Sequence, residues 1–223
     1  MKSLQTRSKV VTGVFVAILL ISGVAASSNL ILLQHLTEFE SGKSFNDLKA
    51  EAVAGRRGVV GMLQGGSFLV GAVTFLLWFH RAHQNLRVGG LTRLRYTPGW
   101  VVLGFLVPLL NLVRPYQVMQ EVWAGSVTLS GQVEKRGWRA RSPAPHVGWW
   151  WALCLARIIL QNASAEFLLR AGVAWELLVA VWVTLASALI DIPAVVVAVL
   201  LIRRITDFQE HARTRLQADQ RGS

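Results

Sequence analysis

Residues 175–204 read WELLVAVWVTLASALIDIPAVVVAVLLIRR, and this stretch decides the fold. The apolar run from Trp175 to Ile202 is long enough to cross a hydrocarbon core about 30 Å thick, at about 1.5 Å per helical residue. Two arginines end the run, as cations do where a membrane helix meets the cytoplasm. The stretch therefore predicts a membrane-spanning helix and an all-α fold.

Three earlier apolar runs predict further membrane helices. The four spans cover about residues 10–33, 59–80, 147–169 and 175–202. We expect a polar outer segment at 34–58, between the first two spans, and a charged cytoplasmic tail at 205–223, after the last one. All of these belong to a single membrane domain, 1–223. The first run also resembles a secretory signal, so cleavage after Ala26 is the alternative to a retained helix.

The segment 98–120 departs from this pattern because its apolar part is too short for a straight span. Pro108 and Pro115 each remove a backbone donor, and we expect them to break the helix. Irregular backbone is not tolerated against lipid, so a broken or re-entrant segment packed against protein is predicted.

The distribution of lysine and arginine indicates that the segment 98–120 does not cross the membrane. With four crossings, 16 of these cations lie on the cytoplasmic side and 5 outside. If the segment crosses, 8 lie inside and 13 outside. The positive-inside rule therefore predicts a polytopic bundle of four crossings plus a re-entrant element, with both termini cytoplasmic.

The composition agrees with a membrane protein and argues against nucleic acid as a partner. Only 16% of residues are charged, whereas a soluble domain carries about a quarter. The net charge is +11, but the basic residues sit in short stretches beside apolar runs. Such stretches favour anionic lipid head groups. The lone cysteine, Cys154, excludes an intramolecular disulfide.

One central series of residues resembles a known family. Residues 78–86 read WFHRAHQNL, residues 95–100 read RYTPGW, and residues 107–119 read VPLLNLVRPYQVM. The series resembles a bacterial membrane family named domain of unknown function 4328. The resemblance implies a multi-helix domain in the bacterial inner membrane, and it brings no catalytic residues.

Two charges lie within the last two predicted spans. Arg157 and Asp191 stand about 16 and 18 Å from the cytoplasmic side, so a mid-membrane ion pair is expected. The pair would either fix helix register or form a proton- or ion-responsive site. Pro193 frees a backbone carbonyl nearby and is a third expected break. Arg114 is the alternative partner for Asp191.

Two further sets of residues are weaker candidates. Asn111 and Arg114, on the broken segment, would bind an anion or lipid phosphate, or would instead tie down free backbone groups. His80 and His83 share a helix face, but lacking a nearby carboxylate or cysteine they are a weak metal signal. Solvation at the interface is the ordinary alternative, and we expect no cofactor and no catalytic residue.

Three functions are compatible with these features. The first is a non-enzymatic membrane scaffold or interaction protein whose basic cytoplasmic face meets anionic lipids, a protein partner or a second copy. The second is a small transporter or channel-like protein with a polar path around Asp191 and Arg157. A lipid-acting membrane enzyme comes third, because the sequence shows no nucleophile–base set.

Overall fold

The computed structural model describes residues 1–40, 47–92, 94–132, 142–170 and 174–222. In these residues all regular structure is helical, with six α-helices, one 3₁₀ turn and no strand. The helices are α1 (Gln5–Glu40), α2 (Asp47–Val88), α3 (Pro98–Leu106), α4 (Arg114–Leu129), α5 (Pro145–Arg170) and α6 (Ala174–Gly222), and the 3₁₀ turn is Leu110–Leu112. The all-α prediction is confirmed.

Three of the described helices have the length and apolar composition that a membrane span requires. The matching stretches are Gln5–Ile31, Gly58–Val88 and Leu178–Arg221. They correspond to the first, second and fourth predicted spans and are consistent with a membrane protein. Helix α5 is not among them, and its side chains are described only as far as Glu166. The crossing expected at 147–169 stays a prediction.

The contacts divide the chain into two compact units. The first unit consists of Met1–Val14, Gly71–Ala152 and Val196–Ser223. The second unit consists of Phe15–Val70 and Leu153–Val195. Helices α3 and α4 and the 3₁₀ turn therefore belong wholly to the first unit.

The segment 98–120 is broken. Helix α3 has nine residues and is about 13 Å long, less than half of a hydrocarbon core. Pro108 lies between α3 and the 3₁₀ turn. Pro115, in contrast, lies in the first turn of α4, where the amide that proline lacks has no helical partner anyway. Pro193 does not break its helix either, because α6 continues on both sides of it.

Helices α3 and α4 pack against each other as a hairpin, the α3–α4 hairpin. A Cβ built on Gly104 would stand 3.1 Å from the Cβ of Arg114, so the two helices approach closely there. Leu109 turns the chain with a φ of 66°, which is a costly conformation for leucine. The hairpin exposes a series of large apolar side chains, namely Leu103, Leu106, Leu109, Leu112 and Val113.

Aromatic rings fill the interior of the first unit. Trp78 and Phe79 are fully buried. Phe105 packs edge-on against Phe79 with ring centroids 6.4 Å apart, and against Trp151 at 6.2 Å. Phe75 lies 5.9 Å from Trp150. These contacts bring α2, α3 and α5 together and place the hairpin against protein.

Small and polar side chains fill the interior of the second unit, as far as its side chains are described. They are Ser22, Ala25, Ser28, Asn29, Val60, Ser164, Ala180, Val181, Ser187, Asp191 and Ala194. The Ser164 hydroxyl on α5 lies 2.6 Å from the Thr184 hydroxyl on α6. Small residues and short hydroxyl contacts are typical of helices that associate within a membrane.

Candidate functional site

Arg157 and Asp191 form an ion pair in the second unit, in which the carboxylate is buried and the guanidinium is partly exposed. Asp191 is only 6% exposed. One of its carboxylate oxygens accepts a hydrogen bond from Nε of Arg157, and the other accepts one from the Ser22 hydroxyl at 2.9 Å. The guanidinium also lies 5.0 Å from the ring centre of Phe68. Helices α1, α2, α5 and α6 thus all contribute to the site.

This geometry satisfies both charges within the unit. The carboxylate has a cation and a hydroxyl, and the guanidinium has a carboxylate and an aromatic face. The proton- or ion-responsive site that the sequence also allowed at this pair stays a prediction.

Arg114 does not compete for Asp191. It belongs to the first unit, where its guanidinium lies 5.5 Å from the ring centre of Tyr96 and 5.3 Å from that of Trp100. It donates hydrogen bonds to the Tyr96 hydroxyl at 3.3 Å and to the side-chain oxygen Oε1 of Gln117 at 3.2 Å. The side chain therefore ties α4 to the start of α3.

Asn111 lies in the 3₁₀ turn and is half-buried. Its backbone amide donates to the Val107 carbonyl at 3.0 Å. The carbonyl of Leu112 accepts from the Trp151 indole at 2.7 Å, so a tryptophan on α5 helps to satisfy the turn. Sequence reasoning did not identify that role of Trp151. Asn111 and Arg114 belong to the first unit, and the Arg157–Asp191 pair to the second.

Glu121 on α4 holds the segment that precedes α3. Its carboxylate accepts hydrogen bonds from the backbone amides of Arg95 and, at 3.2 Å, Tyr96. Nε2 of His83 donates to it at 3.4 Å. Glu121 is 9% exposed and His83 is fully buried. A buried carboxylate that accepts backbone amides fixes a loop by the strongest kind of hydrogen bond available to it.

Hydrogen bonds among the side chains and backbone of the central series and Glu121 therefore hold α2, α3 and α4 together. A family model described as "Domain of unknown function (DUF4328)" matches residues 42–207. The chain belongs to the DUF4328 family. No curated protein and no solved structure matches the chain.

The two histidines of this DUF4328 chain have separate roles. The Pro98 carbonyl can only accept, so Nδ1 of His80 donates to it at 3.0 Å, and Nε2 accepts from the Gln84 amide at 2.8 Å. Both nitrogens are thus engaged. The expectation of solvation at the interface is wrong for His83, because folding buries it against Glu121. Nowhere in the described chain do three potential metal-binding side chains meet.

Two features of this DUF4328 chain were missed by sequence reasoning. One is a polar network in the first unit, centred on Asn85 and Gln209, which the sequence separates by more than a hundred residues. The other is a pair of cavities in the same unit. One, of about 470 Å³, is bordered by Tyr96, Tyr116, Gln120 and Trp123 among others. The second, of about 490 Å³, is described below.

Proposed function

We propose that this DUF4328 chain is a non-enzymatic membrane scaffold. It crosses the bacterial inner membrane four times, keeps both termini in the cytoplasm, and inserts the α3–α4 hairpin as a re-entrant element. Its basic cytoplasmic face binds anionic lipid head groups. The same face also binds a protein partner or a second copy of the chain, either through those lipids or directly.

The observation that carries the proposal is the distribution of charge between the two units. Of the 23 lysines and arginines in the sequence, 17 belong to the residue ranges of the first unit and 6 to those of the second. The same unit contains the start of α1, the end of α2, the start of α5 and the end of α6. Four crossings with a returning hairpin require these four helix ends to share one side, and the positive-inside rule makes that side cytoplasmic.

The α3–α4 hairpin supports the same topology. Helix α3 is too short to cross, and α4 returns along it. The apolar side chains exposed around Leu109 suit contact with lipid, while the backbone of the turn is held by protein groups. Gln120 also bonds both backbone groups of Ala144, at 3.0 and 2.8 Å, which joins α4 to the start of α5.

The transport alternative has less support. Asp191 and Arg157 satisfy each other, and the other polar residues expected to line a path belong to the first unit. A flux assay separates the two functions. A scaffold carries no ion flux in proteoliposomes and keeps its lipid preference when Arg157→Met and Asp191→Leu are made together, whereas a transporter carries a flux that this double substitution abolishes.

Cysteine labelling in intact cells tests the topology. In a Cys154→Ser background, single cysteines replace Gln132, which follows α4, and Ala218 in the tail. A cysteine at Ser41 in the predicted outer segment is the matched control. We expect a membrane-impermeant maleimide to label the control in intact cells and the other two positions only after lysis. Labelling at Gln132 in intact cells would contradict a returning hairpin.

Lipid binding tests the function. The protein is reconstituted in nanodiscs of phosphatidylcholine with and without phosphatidylglycerol, and the lipids that stay bound are identified by native mass spectrometry. We expect enrichment of phosphatidylglycerol that weakens as salt is added, because exposed charges are screened. Equal retention of the two lipids would refute the proposed basic lipid-binding face.

A further inference from the structure

We infer that the second cavity of the first unit, the clamp cavity, is a specific binding site for one phosphate group. The cavity of about 490 Å³ is lined by Met1, Lys2, Arg81, Gln84, Asn85, Arg87 and Val88. We assign that phosphate to a lipid head group, and in this respect the inference rests on the proposed function. Free phosphate shares the same chemistry and is separated from the lipid by the experiment below.

Asn85 builds the clamp cavity by holding the backbone of residue 2. The amide of Lys2 donates to Oδ1 of Asn85 at 3.2 Å, and Nδ2 of Asn85 donates to the Lys2 carbonyl at 2.9 Å. Both backbone groups of one residue are thus bonded to one side chain. This fixes the N-terminal segment against α2 and places Lys2 beside the arginines at the end of that helix.

A buried network keeps the clamp rigid. Asn85 also donates to the side-chain carbonyl of Gln209 at 2.9 Å. Gln209 in turn donates to the Ala82 carbonyl at 3.0 Å and to the Ser126 hydroxyl at 2.9 Å. Asn85, Gln209 and Ser126 are all buried. Groups on α2, α4 and α6 therefore fix the side-chain amide of Asn85, which in turn binds residue 2. A site preorganised in this way loses little entropy when a ligand binds.

The carboxylate that contacts the residues following Lys2 is occupied by other partners. Glu210 accepts hydrogen bonds from the Leu4 amide and the Ser3 hydroxyl, each at 2.7 Å. It also pairs with Arg213 at 2.9 Å. The lining of the clamp cavity contains three cationic side chains and two amides but no carboxylate. Within the described part of the chain, neither Arg81 nor Arg87 has an acidic partner.

The chemistry and the location of the lining both suit a phosphate ester. Guanidinium groups match phosphate oxygens with paired, charge-assisted donors, and an ammonium adds a point charge. The cavity lies at the end of Gly58–Val88, one of the stretches apolar enough to span a membrane. The end of a span is the level at which lipid phosphates lie. A volume of this size accommodates a head group as well as its phosphate.

Charge-removing variants in nanodiscs test the inference. Arg81→Gln is compared with Arg203→Gln, which removes an exposed arginine of the same unit that does not line the cavity. We expect retention of phosphatidylglycerol to fall about tenfold for Arg81→Gln and less than about twofold for Arg203→Gln. Arg81→Lys, which keeps the charge but loses the paired donors, is expected to fall between them.

The outcomes separate the cavity from the general basic face. Equal losses in Arg81→Gln and Arg203→Gln would overturn the clamp cavity and leave the proposed function standing. Unchanged thermal stability of both variants in pure phosphatidylcholine shows that the comparison is made between folded proteins. If Arg81→Gln is unstable, Arg87→Gln against the same control decides the inference on the same criterion.

A second arm identifies the source of the phosphate. The detergent-solubilised protein is titrated with inorganic phosphate, and the melting temperature is followed for the wild type and for Arg81→Gln. A rise confined to the wild type, and removed when phosphatidylglycerol is added first, supports a lipid phosphate at this site. A rise that lipid does not compete with would overturn the lipid source. No rise, together with no phosphatidylglycerol preference, would overturn the site itself.

Discussion

Among the described residues, the buried side chains of the first unit include large aromatic rings and long polar groups, whereas those of the second unit are mostly serine, alanine and valine. Large rings bury much apolar area and suit helices of varied length and direction, such as the hairpin and the ends of α2 and α5. Small residues let long helices approach closely where lipid offers no hydrophobic drive for association. The difference indicates that one continuous set of helices uses two kinds of packing.

Among the residues whose side chains are described, each unit holds one buried carboxylate, and the two are satisfied in different ways. Asp191 faces the guanidinium of Arg157 and one hydroxyl. Glu121 faces two backbone amides and a histidine. The first carboxylate neutralises another side chain, and the second anchors a loop. The same change from acid to amide should therefore have different consequences in the two units.

The largest effect is expected for Asp191→Asn. The amide keeps the volume but leaves the partly buried guanidinium of Arg157 without a counter-ion, so the free energy of unfolding should fall by about 3 kcal/mol. Unfolding in mixed detergent micelles measures this change. The less buried pair of Arg213 with Glu210 is the control, and Arg213→Gln should cost less than about 1 kcal/mol.

A double substitution sharpens the same measurement. Arg157→Met with Asp191→Leu replaces both charges by apolar side chains, which removes the uncompensated charge altogether. We expect it to restore most of the stability lost in Asp191→Asn. A double variant as unstable as the single one would show that the pair does more than satisfy its own charges.

An intermediate effect is expected for Glu121→Gln. The glutamine keeps one oxygen acceptor, but its amide group cannot accept, so one buried backbone amide near Tyr96 loses its partner. The free energy of unfolding should fall by about 1–3 kcal/mol. Asp207→Asn, an exposed carboxylate on α6 in the same unit, should change it by less than about 0.5 kcal/mol. If Glu121→Gln lowered the free energy of unfolding more than Asp191→Asn does, the expected order of the two carboxylates would be reversed.

The smallest effect is a pH dependence that arises in the first unit. His146 packs edge-on against Trp123, and partial burial followed by the charge of Arg204 lowers the pKa of His146. The unfolded chain then binds a proton more readily than the folded one, so stability is fully present above about pH 6.5 and declines as the pH falls below it. Melting curves against pH should show a shallower decline for His146→Gln, and identical curves would contradict the assignment.

Local sequence was sufficient for much of the architecture. Apolar length predicted the helices that can span a membrane, and the short run before Pro108 predicted the break between α3 and the 3₁₀ turn. The central series predicted the family. These properties depend on neighbouring residues only, because helix length, hydropathy and the missing amide of proline act within a few turns.

Proline positions show where local reasoning failed. Pro115 and Pro193 carry the same chemistry as Pro108, yet one begins a helix and the other lies inside a continuous one. The residue type determines only that a backbone donor is missing. Whether the chain ends, starts or continues there depends on what packs around that turn.

The amino-acid sequence alone determined an all-helical chain with long apolar helices, a broken segment and an excess of positive charge. Only the tertiary structure decided that Asp191 pairs with Arg157 rather than with Arg114, and that His83 is buried against Glu121. It also decided that Asn85 holds residue 2. Each of these contacts joins residues more than thirty positions apart, and folding brings together partners that no local pattern relates.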